Sequence, residues 1–269
     1  MRKRAGKGRQ EEYSDAAIEC CLILRAIFHL PLRATQGFVE GLIHLLDLEI
    51  SAPNYSLLSR RSSNLCRVLN HIPSTGPIDI VVDSTGLKIF GEGEWKTRCH
   101  GKSKRRSWRK LHLAVDAGTH EIVGCEISGH RTHDCDKIDA VLPNFTLGDV
   151  CADGAYDNRK SYDAIVGRGG RPLIPPRSGA ALTKDPSLGM AMRNHTVQAC
   201  WAIGRESWKA GSGYHQRSLA ETAMYRFKTI FGSHLKSRTK ENQITEAHIK
   251  ATVLNKMTHL GMPKSYRIS

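Results

Sequence analysis

The sequence predicts a mixed α/β fold with a helical N-terminal region, and three observations carry that expectation. Apolar residues recur at helical spacing as far as about Asn70, the period shortens to that of strands after Pro73 and Pro77, and helices and strands then alternate. Ser14 reads as the N-cap of a first helix, Ala16 to Leu30, which Pro31 stops. Thr35 to Leu48 forms a second helix, and Pro53 with Asn54 introduces a third, Tyr55 to Leu69. The break at Ser51 to Asn54 gives these helices the outline of a helix-turn-helix, with Arg60 and Arg61 turned towards DNA; a plain helical subdomain is the alternative. Ile78 to Val82, Leu111 to Val115 and Glu121 to Ile127 read as strands, the first two joined by a long basic connection and the last two by a short turn. Lys137 to Leu142 then reads as a helix, Val150 to Ala152 as a strand, Arg159 to Val166 as a helix and Pro172 to Ile174 as a strand. From Pro175 to Gly213 the chain reads as irregular, with a helix only around Val197 to Ile203. Two helices close the chain, Tyr214 to Phe231 and Glu241 to Leu260, the latter stopped by Gly261 and Pro263. The resulting division is a helical region over 1–72, an α/β domain over 73–235 and a C-terminal helix within 236–269 that packs on the core.

Composition narrows the function. The 269 residues carry 40 Lys+Arg against 26 Asp+Glu, a formal charge of +14, with 40% hydrophobic residues. Apolar runs such as Cys20 to Leu24 and Leu42 to Leu46 are interrupted by Arg25, His44 and Asp47, well short of the roughly 20 apolar residues of a membrane span. No secretion signal is legible at the start, so the expectation is a cytoplasmic protein without a membrane partner. The eight cysteines form no C-x-x-C pair and read as reduced side chains. His130, His133 and Cys135, interleaved with Asp134 and Asp136, could ligate a metal in isolation, but no second ligand pair stands at zinc spacing. The densest charge is Lys96, Arg98, Lys102, Lys104, Arg105, Arg106, Arg109 and Lys110, without an intervening acid. Such a run suits phosphate, with Trp95 and Trp108 beside it to pack or stack; a solvated loop is the alternative.

Three carboxylates stand where chemistry is expected: Asp83 at the end of the first strand, Asp153 just after Val150 to Ala152, and Glu221 in the helix that follows the irregular segment. If the two strands are neighbours and the helix crosses them, their oxygens can hold one or two Mg²⁺ ions against a phosphate substrate. At about 100° per residue, Tyr214, Arg217, Glu221 and Lys228 share one face of that helix, opposite an apolar face that includes Leu219, Ala223, Phe227 and Phe231.

The pattern Tyr214-x2-Arg217-x3-Glu221-x6-Lys228 resembles the YREK signature of bacterial insertion-sequence transposases of the DDE class. Asp83-Ser84-Thr85-Gly86-Leu87-Lys88 and Ala152-Asp153-Gly154-Ala155-Tyr156-Asp157 resemble the first and second acidic motifs of the insertion-sequence-five family. Gly93-Glu94-Trp95, Trp108-Arg109-Lys110-Leu111-His112 and Ile174-Pro175-Pro176 extend the similarity, which runs from about Tyr13 to Met257. Many members carry a further stretch before this region, so the start reads as shortened. The resemblance implies a ribonuclease H-like mixed sheet flanked by helices. It also implies that Asp83, Asp153 and Glu221 hold Mg²⁺, with Mn²⁺ as a substitute, while Tyr214, Arg217 and Lys228 position the DNA backbone. The implied activity is binding of the element's terminal inverted repeats, metal-assisted cleavage there and joining of the freed 3′ hydroxyl to target DNA. A homodimer assembled on DNA in the bacterial nucleoid is implied as well. Asp157 is expected to support the site from behind. Two alternatives stay open: a nuclease that cuts without joining, and a catalytically inactive DNA-binding remnant or regulator.

Overall fold

The computed structural model describes residues 12–65, 69, 76–89, 108–184 and 187–261. The chain divides into two compact units, Met1–Arg67 and Val68–Ser269.

The first unit holds α1 (Asp15–Ile27), α2 (Leu32–Leu45) and α3 (Tyr55–Ser62), each packed on the other two. Ser14 and Asn54 cap α1 and α3 by accepting from the Ala17 and Leu57 amides, as their side chains suggest. Pro31 ends one helix by beginning the next. Its carbonyl accepts the Thr35 amide at 2.9 Å, which starts α2 at Leu32 rather than Thr35. Ile18, Leu22, Val39 and Leu58 form the interior. Arg61, expected to face DNA, instead crosses to the Asp15 carboxylate and the Tyr13 carbonyl with only 13% of its side chain exposed, so it ties α3 to α1. Arg60, one residue earlier, is exposed.

The second unit is built on a mixed sheet whose strands are β1 (Ile78–Ile89), β2 (Trp108–Asp116), β3 (Ile122–Gly129), β4 (Leu147–Cys151), β5 (Arg171–Leu173) and β6 (His234–Leu235). The order is β3-β2-β1-β4-β5. β2 runs antiparallel to β1 and β3, whereas β4 is parallel to both β1 and β5. This is the ribonuclease H-like mixed sheet that the resemblance implied. β1 is longer than its apolar run: the mostly polar stretch from Asp83 to Lys88 stays paired with Leu113 to Trp108, so Asp83 lies within the strand and not at its end. The two-residue β6, absent from the sequence reading, pairs with Lys88 and Ile89 in parallel.

Alternation along β1 divides the core. Ile78, Ile80 and Val82 face α4 (Ile138–Val141) and α5 (Arg159–Val166), with Tyr156 and Tyr162 packed among them. Val81 faces the other way, with Cys151 and Leu173, towards Ala220 of α8 (Ser218–Phe231). Between β5 and α8 the chain is not irregular: α6 (Leu188–Ile203) and α7 (Arg205–Gly211) occupy most of it. A short 3-10 turn, Tyr214–Arg217, replaces the expected first turn of α8.

The closing helix α9 (Lys240–His259) packs on β3, where Asn255 accepts the Ile122 amide and donates to its carbonyl, both at 2.8 Å. The His259 imidazole reaches the buried Glu121 carboxylate on the same side. Lys250 bonds Glu246 at 2.8 Å and the His234 carbonyl at 3.0 Å, while Glu246 accepts the Lys236 and Ser237 amides. This nearly buried pair anchors β6 to α9. No helix among the described residues is long and apolar enough to cross a membrane.

Burial alone would raise the Glu246 carboxyl, but Lys250 and the two amides outweigh it and hold its pKa below the ordinary 4.5. A carboxylate depressed in the folded state contributes stability above its ordinary pKa and loses that contribution as pH falls through the folded value. Glu246→Gln is therefore expected to cost about 3 kcal/mol at neutral pH, with the difference from wild type closing as pH falls below 4.5 through the depressed value. Urea unfolding across that range checks it; a constant difference would contradict this role.

Candidate active site

The sheet topology creates the site. The chain leaves β1 on one side through β2 and β3, then returns to place β4 on the other, and such switch points leave a crevice beyond the strands' carboxyl ends. Val81 pairs with Cys151, the last residue of β4, so Asp83 lies two residues beyond that pair on β1 and Asp153 two residues beyond it on the turn that follows β4. β4 pairs with β1 as far as Val81, and β6 meets β1 at Lys88. Asp83 lies in the interval between these two pairings. The 3-10 turn Tyr214–Arg217 packs across that interval on β1 and β4, and α8 carries Glu221 next to it.

Each carboxylate is held differently. Asp83 accepts its own neighbour's amide, Ser84 N–H, at 2.8 Å and is 14% exposed. Asp153 caps the short 3-10 turn Gly154–Tyr156 by accepting the Ala155 amide at 2.9 Å. Glu221 is 57% exposed. Arg217 joins two of them: Nη1 donates to Glu221 Oε1 at 2.6 Å, and Nη2 lies 3.5 Å from Asp83 Oδ2. Burial pushes the Asp83 carboxyl above its ordinary pKa. The Ser84 amide and Arg217 pull it down, while the charges on Asp153 and Glu221 push it up again. The three carboxylates thus share one electrostatic neighbourhood. Among the described residues, however, no three His, Cys, Asp or Glu side chains stand close enough to hold one ion. That applies to this trio as it stands and to the His130, His133 and Cys135 candidate.

The other two signature residues also converge here. Lys228 donates to Thr85 Oγ1 on β1, two residues along from Asp83. The Tyr214 ring lies 6.2 Å from that of Trp208 and has Lys209 Nζ 6.0 Å from its centroid. Burial, with Asp153 and Cys151 adding to it against Arg217, pushes its phenol up to about 12, so the hydroxyl remains a donor at neutral pH. Of the basic run, Lys104, Arg105 and Arg106 lie outside the described residues. Arg109 and Lys110 are engaged within the fold, Arg109 with Gln243 at 3.0 Å and Lys110 with Asp134 at 3.0 Å.

Several supporting residues escaped the sequence reading. Arg177, directly after the Pro175-Pro176 pair, donates to the Gly154 and Ala155 carbonyls at 3.1 and 3.0 Å, bracing the turn that carries Asp153. Asp157, the expected support, accepts the Arg177 amide at 2.9 Å and a two-pronged contact from Arg193 of α6 at 2.6 and 3.1 Å. Its side chain is 1% exposed. A Cβ on Gly154 would meet Arg205 Nη2 at 3.7 Å, so this exposed arginine stands beside the same turn; it makes no ion pair among the described residues. Only Arg177 carried a sequence signal, its place next to the proline pair.

A family model described as a transposase DDE domain matches residues 74–256, and a second of the same description matches residues 1–92. Among solved structures, the chain is similar to the piggyBac transposase in its synaptic complex with hairpin DNA. Identity there is 9%, the match covers 95% of this chain and 69% of that one, and the TM-score is 0.38. It is also similar to the Mos1 transposase in its paired-end complex with the left transposon end, at 11% identity, covering 92% and 78% of the two chains, with a TM-score of 0.26.

Removing one member of a buried ion pair strands the other, at a cost of about 3–5 kcal/mol. Arg193→Ala is expected to lower stability by about 3 kcal/mol and Arg193→Lys by less, since a point charge replaces the two-pronged guanidinium. Chemical denaturation of both variants measures this, and equal losses would contradict the two-pronged role.

Proposed function

The chain belongs to the transposase DDE domain family, and from that premise we propose that it is the transposase of a bacterial insertion sequence of the insertion-sequence-five type, with Tyr214, Arg217, Glu221 and Lys228 as its YREK signature. The observation that carries the reading is Arg217 shared between Asp83 and Glu221 at the β1–β4 switch point, with the charge of Asp153 acting on the same Asp83 carboxyl. In this role the protein binds the terminal inverted repeats of its element, cuts the phosphodiester there by water attack and joins the freed 3′ hydroxyl to target DNA. Handling two ends together calls for a homodimer on the DNA, and such an enzyme works at the nucleoid.

The donor set suits the cofactor this family implies. Three carboxylates offer only oxygen, the ligand that Mg²⁺ prefers and Mn²⁺ accepts. Asp83, Asp153 and Glu221 would hold the metal. When bound, a pair of divalent ions activates the attacking oxygen and neutralises charge at the leaving one. The chain's own residues do the rest by positioning, the main requirement of phosphoryl transfer. Ser84 and Ala155 amides orient the two aspartates. Lys228, steadied on Thr85, sets a positive charge along β1 from Asp83. The Tyr214 hydroxyl, kept protonated, can donate to a phosphate oxygen, and Arg217 offers a two-pronged contact to the same backbone. Arg205 adds a phosphate contact beside Asp153. Arg60 and the run through Lys104, Arg105 and Arg106 supply further attraction for duplex DNA, whereas Arg61 and Arg109 serve the fold.

The test is a cleavage and joining assay on labelled DNA carrying the inverted repeats that flank the gene. Mg²⁺-dependent nicking at the repeat tips, with joined products, is expected for the wild type. Asp83→Ala, Asp153→Ala and Glu221→Gln should each lower the rate about 10³-fold or more while DNA binding persists. Cutting without joining would reduce the protein to a nuclease, and binding without any cutting would make it a remnant.

A further inference from the structure

Arg217 is given two roles by this site, and its atoms cannot fill both at once. Its guanidinium donates to Glu221 Oε1 at 2.6 Å and stands 3.5 Å from Asp83 Oδ2. The proposed chemistry asks those same carboxylates to take a dication at about 2.0–2.1 Å, and asks the same guanidinium to grip a phosphodiester. A fork aimed at two carboxylates is not aimed at a phosphate, and a dication seated on those oxygens repels the fork. We infer that Arg217 is an exchangeable counter-ion: a divalent ion arriving at Asp83 and Glu221 displaces its guanidinium, which then takes a phosphodiester oxygen, so that metal loading and DNA capture are coupled.

Three features direct this exchange to Arg217. Like charges at Asp83, Asp153 and Glu221 oppose one another, so the departure of the guanidinium favours the arrival of another cation. Once displaced, Arg217 remains a cation in a largely enclosed place, 26% exposed, with its Nε buried and lacking a partner among the described residues. A cation so placed favours an incoming anion. The signature's other cation, Lys228, is tied to Thr85 and to neither carboxylate, which leaves the exchange to Arg217. By linkage the coupling is reciprocal: whatever factor the metal adds to DNA affinity, DNA adds to metal affinity.

The inference rests on the proposed metal centre, and its test separates the two. Mn²⁺ binding to the full chain is measured by the electron paramagnetic resonance of free Mn²⁺, with and without a duplex of arbitrary sequence. The proteins compared are wild type, Arg217→Gln, Arg217→Lys and Asp83→Asn, each first checked for a cooperative melt. In wild type the duplex should tighten Mn²⁺ about tenfold, within the usual span of such couplings. Arg217→Gln should bind Mn²⁺ several-fold more tightly than wild type without DNA and lose most of the duplex effect, with Arg217→Lys between the two. Mn²⁺ binding that Asp83→Asn abolishes but that neither Arg217 variant alters would overturn the exchange alone. Mn²⁺ binding no tighter in wild type than in Asp83→Asn would overturn the metal centre and the exchange with it.

Discussion

Like-charged carboxylates gathered beside one another repel, and the architecture around this site answers that constraint with a cation. Parallel pairing of β1 with β4 sets Asp83 on β1 beside the turn just past β4 that carries Asp153, and α8 brings Glu221 towards them. Arg217 supplies the balancing charge. Its own pKa registers the contest: burial works against the charged form, and Asp83, Tyr214, Glu221 and Asp153 together overcome it and raise the value. The cluster is compatible with folding because the charges are compensated locally, and it is useful because that compensation is reversible.

The three carboxylates are not equally fixed. Asp83 is part of a paired strand and bonded to the next amide. Asp153 sits on a turn held by Arg177, which is itself held through Asp157 and Arg193 to α6. Glu221 is more than half exposed and engages Arg217 from one helical turn away. Two rigid carboxylates and one adaptable one would suit the proposed centre, which has to admit an ion and a bulky polymer. The chain of contacts behind Asp153 also gives α6 a function in the fold: through Arg193 it stabilises the turn from outside the sheet.

Much of this was legible in the sequence. Period changes located the strands, the caps Ser14 and Asn54 located two helix starts, and the resemblance of the acidic motifs singled out Asp83, Asp153 and Glu221. The failures have physical causes. α6 was read as mostly irregular because its apolar residues do not form one stripe: Met190 and Val197 are buried, yet Leu188, Trp201 and Ile203 are exposed. β1 runs past its apolar stretch at Asp83, where no apolar pattern marks a strand, because pairing with β2 keeps it extended. β6 spans two residues, too few for any pattern. The helical wheel joined Tyr214 and Arg217 to α8, although they lie on a 3-10 turn; Arg217 still reaches Glu221 because the two remain four residues apart. Arg61 looked like a surface cation, and only its pairing with Asp15 explains why it points inward.

The central claim is that Asp83, Asp153 and Glu221 serve one divalent-metal centre, and affinity cleavage of the backbone addresses it most directly. Fe²⁺ replaces Mg²⁺ in the folded protein, ascorbate and peroxide generate hydroxyl radicals at the bound ion, and the positions of chain scission are mapped. The expected result is a joint set of cuts near residues 83, 153 and 221, suppressed together by excess Mg²⁺. Cuts confined to one of these segments, or clustered elsewhere such as near residues 130–135, would contradict the account.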